Sequence, residues 1–94
     1  MTNNDILAVL KTDLEIAVSS RDGFLNNLID LSKAAIEREG ITIQDNVEDG
    51  MLVERYAAFL FRKRREDSVS MPRSLRYALN NRLLSEKARS HEGN

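Results

Sequence analysis

The chain has no cysteine and no tryptophan, one proline, and four glycines that are scattered rather than clustered. Without cysteine, disulfides and thiolate metal sites are excluded. Scattered glycines exclude a Gly-rich phosphate loop, and no cofactor is implied. Aromatic residues make up only 5% of the chain, so a core must be built from Leu, Ile, Val, Ala and Met. The longest apolar runs fall far short of the ~20 residues that span a bilayer, so no membrane is expected among its partners. The N-terminal stretch MTNNDILAVLKTDLE is acidic and lacks the basic start and cleavage site of a signal peptide; residence in a cytoplasm is the expectation. The only histidine, His91, falls in a tail expected to be solvated. Glu37/Glu39 and Glu48/Asp49 have no histidine or further carboxylate at ligand spacing, and read as capping or solvated charges. No group of residues supports catalysis, so the expectation is a protein that is not an enzyme, with no metal ligands.

The 94 residues present suffice for one domain with a modest core. The net charge of -1 conceals a division. Residues 1–50 carry ten acids and four bases, and residues 51–94 carry five acids and ten bases. Such a module either neutralises itself internally or turns its basic half toward an acidic partner or the next copy.

Periodicity predicts an all-α domain of about four helices, near 4–16, 22–39, 47–65 and 72–89, with a tail over 90–94 that frays. Asn3 or Asn4 can cap the first helix, with Ile6, Val9, Leu10 and Leu14 at helical spacing. Phe24, Leu25, Leu28, Ile29, Leu31, Ala35 and Ile36 form a broad apolar face on the second, with Lys33 and Glu37 paired at i, i+4. Gly40 stands where a left-handed C-cap belongs. Ile41–Gln44 alternates like a strand but has no second strand to pair with, which favours an extended connector near 41–45. Asn46 can cap the third helix with Asp49 at N3 as a capping-box variant, and Gly50 weakens its first turn by roughly 1 kcal/mol. Leu52, Val53, Tyr56, Phe59 and Leu60 form its stripe, and Ala57 and Ala58 permit close approach of another helix. Pro72 opens the fourth helix, where Leu75, Ala78, Leu79 and Leu83 form the main stripe.

Two surfaces remain as candidates. Arg62, Lys63, Arg64 and Arg65 end the third helix, where cations meet the negative end of the helix dipole. Spaced about 100° apart, they cannot all face one DNA groove. Arg73 with Arg76, and Arg82 with Arg89, make better stripes. A sequence pI near 5.8 argues against sequence-specific DNA binding. Tyr77 and Leu84 lie on a second flank of the fourth helix, suited either to anchoring a partner or to burial under the first helix. Asn80 and Asn81, mediocre helix formers at mid-helix, are either hydrogen-bonding partners across an interface or exposed and idle.

Three segments, LNNLIDLSKAAIEREGI (25–41), YAAFLFRKRRE (56–66) and MPRSLRYALNNRLLSEK (71–87), in this order and spacing, resemble the small head–tail connector proteins of tailed bacteriophages, also described as adaptor or DNA-packaging proteins. The resemblance spans roughly residues 25–87. It implies a structural protein of the phage or prophage virion neck, assembled in the bacterial host cytoplasm, whose copies form a homo-oligomeric ring. It further implies attachment to the portal protein on one side and to the next neck or tail protein on the other, with a role in completing DNA packaging. The segment 71–89, with Arg73, Arg76, Tyr77, Asn80, Asn81 and Leu84, would dock on the portal. The second and third helices would make the body and lateral contacts. Arg62–Arg65 would face a neighbouring subunit or the channel, in non-specific proximity to packaged DNA. The chain ends soon after Lys87, a departure that bears on any portal contact needing a longer extension. The alternative expectation is a small helical DNA-binding regulator with the Pro72 helix as its reading element.

Overall fold

The computed structural model describes the backbone of residues 1–92 and side chains through residue 89. It contains four α-helices: α1 (Asn3–Asp13), α2 (Asp22–Arg38), α3 (Val47–Arg65) and α4 (Arg73–Glu92). No strand occurs among the described residues, and 41–44 form the expected extended connector. Helix α4 passes the expected end at 89; the side chain of His91 and the last two residues of the tail lie outside the described residues.

Helix α3 is central. It packs against α2, α1 and α4, and the molecule extends over 48 × 30 × 18 Å. Leu52, Val53, Ala57, Ala58, Phe59 and Phe61 of α3 meet Ile6 and Leu10 of α1 and Leu25, Leu28, Ile29 and Ile36 of α2, while Leu75 and Leu79 seat α4. The small Ala57 and Ala58 are fully buried, as close helix approach requires. Phe61 joins the core although it lies off the stripe read from the sequence. Leu31, assigned to the apolar face of α2, is instead 57% exposed because that face turns away from it.

The termini of the helices explain several differences from expectation. The cap of α1 is Thr2, not Asn3 or Asn4. Asp5 N–H donates to Thr2 Oγ1 at 3.1 Å and Thr2 N–H donates to Asp5 Oδ2 at 2.9 Å, a reciprocal capping box. Asn3 is thereby free to accept a hydrogen bond from Lys33, which replaces the expected Lys33–Glu37 pair. Helix α1 ends earlier than expected. Glu15 takes a left-handed conformation (φ 57°), with Ile16 N–H donating to Lys11 O and Glu15 N–H to Thr12 O, a Schellman closure on a residue other than glycine. Gly40 ends α2 as expected, at φ 106°. Asn46 caps α3 through Asp49 N–H at 2.7 Å. Gly50 has a further role: a Cβ there would stand 2.6 Å from Met1 Sδ, so its absence lets the N-terminal residue pack onto α3. Pro72 lies just before α4, its carbonyl accepting from Arg76 N–H.

Candidate interaction surfaces

Helix α4 is apolar on opposite sides. Leu75 and Leu79 are buried, whereas Tyr77 is 61% and Leu84 65% exposed. At about 100° per residue, Arg73, Tyr77, Asn80, Asn81 and Leu84 share an outer arc of about 100° facing away from the core. Burial of Tyr77 under α1, one of the two sequence readings, does not occur. Asn80 and Asn81 are both exposed. Arg76 leaves this group. Its two terminal nitrogens donate to Glu39 Oε1 and Oε2 at 2.9 and 3.1 Å, a bidentate bond to the end of α2 that raises the guanidinium pKa.

Arg82 is likewise withdrawn from the basic stripe. Its Nε and Nη2 donate to the two oxygens of Asp49 at 2.8 and 3.1 Å, and Nη2 also donates to Thr42 O at 2.8 Å. Glu86 accepts from Arg82 and from Thr42 N–H, and Asp49 accepts from Gln44 N–H. One charged cluster thus ties the connector and the start of α3 to the middle of α4. Burial pushes the Asp49 carboxyl up, but the Arg82 guanidinium and the Gln44 N–H outweigh it and leave the pKa below the ordinary value. Hydrogen bonds from Thr42, joined by Arg82, lower the Glu86 pKa to about 2. Asp49 is therefore not the second half of a capping box. Its oxygens serve Gln44 and Arg82, and only the three-dimensional return of α4 reveals the pairing.

The basic end of α3 divides by direction. Arg62 Nη2 reaches Asp13 Oδ1 at 3.4 Å, at the end of α1. Arg64 stands over the Phe24 ring at 4.6 Å, and Arg65 over Phe61 at 5.9 Å. Arg21, from the segment before α2, covers the same Phe61 ring at 6.0 Å. Arg64, Arg65 and Arg21 border a cleft of about 360 Å³ completed by Ser20, Phe24 and Phe61. Arg21 has no counterpart in the sequence reading, since nothing local marks it as a neighbour of Arg65.

No family model matches the chain, and no curated protein or solved structure matches it either. Among the described residues no three His, Cys, Asp or Glu side chains gather as a metal site. None of the described helices is long and apolar enough to cross a membrane.

The sequence reading also missed Glu54, which is 2% exposed within α3 and has one oxygen without a hydrogen-bond partner. Burial, reinforced by the neighbouring Asp13 carboxylate, pushes its pKa up to about 7, against weaker opposition from Arg62 and Arg55. A proton on Glu54 can be donated to Asp13, which joins the end of α1 to α3.

Proposed function

We propose that the protein is a structural component of the phage neck, a small helical connector that forms a ring, attaches to the portal and joins capsid to tail. The resemblance described above supplies the family. The observation that carries the reading is the outer face of α4, where Tyr77 and Leu84 lie exposed one above the other, flanked by Arg73, Asn80 and Asn81. A helix whose inner leucines already secure it has no folding use for a second apolar face, and aromatic and arginine side chains with polar neighbours suit a protein interface. On this reading α4 is the portal-docking element, and α2 and α3 form the body and lateral contacts. The mechanism is geometric: a head-to-tail contact repeated by rotation closes into a ring.

The regulator alternative would use α4 to read DNA. Arg76 and Arg82 are held by Glu39 and Asp49, which favours the connector reading. Native mass spectrometry, with and without a purified portal protein, tests the proposal. The expected outcome is a higher oligomer, or a stable complex with the portal; the portal complex is lost in Tyr77→Glu/Leu84→Glu while circular dichroism is unchanged. Portal binding that survives this double substitution would remove α4 as the docking element. A dimer that captures duplex DNA through α4 would replace the connector with the regulator.

A further inference from the structure

We propose that the cleft between the start of α2 and the end of α3 binds phosphate oxyanions, and that its ligand is the phosphodiester backbone of a nucleic acid held by Arg21, Arg64 and Arg65. The helix dipole accounts for basic residues at the end of α3. It does not account for Arg21, which comes from a different segment and converges on the same aromatic pair. Phe24 and Phe61, with ring centroids 6.3 Å apart, act as a platform on which three guanidinium groups lie. Packing on aromatic faces limits their rotamers, so less entropy is lost when they meet an anion.

Three observations identify the ligand as anionic. None of the three arginines forms an ion pair with another described residue, in contrast to Arg62, Arg76 and Arg82. The six residues that line the cleft include no carboxylate. Helix α2, whose start borders the cleft, begins without a side-chain cap, which leaves its positive end uncompensated by a neutral capping side chain. Of the two acids adjacent in sequence to the lining residues, Asp22 is engaged by Lys11 Nζ at 2.7 Å and Glu66 accepts from Ser68 Oγ at 3.1 Å.

A nucleic-acid strand fits better than a discrete ion or an acidic peptide. The cleft is open and several times larger than one phosphate needs. A strand repeats its charge about every 3.4 Å, so several guanidinium groups can be met at once without a particular sequence. Arg64 lies over the Phe24 ring and Arg21 and Arg65 over the Phe61 ring, so these rings meet guanidinium groups rather than bases; contact is to phosphate and independent of sequence. The net charge of -1 does not oppose this, because the acids are concentrated in the other half of the chain and the local field governs a surface contact. None of the lining residues belongs to α4, so failure of portal docking through α4 and failure of this site are told apart by separate substitutions.

Fluorescence anisotropy with a mixed-sequence duplex and with its single strand tests the site. Three phosphate contacts give a log–log salt slope of about -2.7 on duplex, roughly a 40-fold loss of affinity from about 50 to about 200 mM salt. Arg21→Gln, at an exposed position outside the helices, should reduce the slope by about one, and Arg64→Gln/Arg65→Gln by about two. Arg73→Gln on α4 should leave it unchanged, with melting curves checking that each variant folds. Absence of salt-dependent binding at low salt would overturn the proposal, as would equal weakening by Arg73→Gln. Equal binding of a polyglutamate peptide would assign the cleft to carboxylates instead. Inorganic phosphate that raises the melting temperature of a protein binding neither oligonucleotide would assign it to the free ion and refute the nucleic-acid ligand.

Discussion

The substitution Glu54→Gln should make the protein more stable at and above neutral pH and remove most of the decline in stability between about pH 4.5 and 7. Glu54 is buried in α3 beside Asp13, with its pKa raised from an ordinary 4.5 to about 7. Between those values the folded protein holds a proton that the unfolded chain has released. Stability is therefore fully present below about pH 4.5 and declines as pH rises through about 7. The difference corresponds to roughly 3 kcal/mol, with a slope near 1.4 kcal/mol per pH unit in mid-window. Because the Asp13 carboxylate and the Arg55 and Arg62 guanidinium groups stand nearby and offset one another in part, the gain from removing the charge is about 1–3 kcal/mol. Glutamine has nearly the same shape, and its amide can donate permanently to Asp13. Urea denaturation followed by circular dichroism from pH 4.5 to 8, for both proteins, measures the effect. The curves should converge at the acid end and separate as pH rises. Parallel curves, or a variant less stable than the parent at pH 8, would refute the raised pKa of Glu54.

Other expectations concern the helix termini and the α4 latch. Arg82→Met leaves Asp49 buried without its cation and should cost about 3 kcal/mol by denaturant titration; adding Asp49→Asn should recover part of it. The lowered pKa values of Asp49 and Glu86 have the opposite sign to that of Glu54. Their contribution is present above the ordinary carboxylate range and is lost as pH falls, so Arg82→Met should also flatten the acid limb of the stability curve. Glu15→Gly relieves a left-handed backbone at the end of α1 and should raise stability by about 0.5–1 kcal/mol, net of the greater freedom of the unfolded chain; a fall in melting temperature would contradict the Schellman assignment.

Apolar spacing, the capping residue Asn46, the stop at Gly40 and the proline before α4 are local signals, and each sufficed to place its helix or turn. The two-sided character of α4 could also be read locally, because Leu75 and Leu79 repeat on one side of a helix and Tyr77 and Leu84 on the other. Which side is buried depends on where α3 lies, and only the packing determined that Tyr77 and Leu84 remain outside. The basic residues were visible as a run, but their partners were not. Asp49 and Arg82 are 33 residues apart, Arg76 and Glu39 are 37 apart, and no periodic pattern links them. Arg21 reaches the Phe61 ring only because α2 and α3 pack together. The sequence by itself determined the helices and their apolar stripes, since these follow from the 3.6-residue period and from capping chemistry. The tertiary structure decided which charges are consumed within the fold and which remain available to a partner, because a charge is paired or free according to distances that only packing sets.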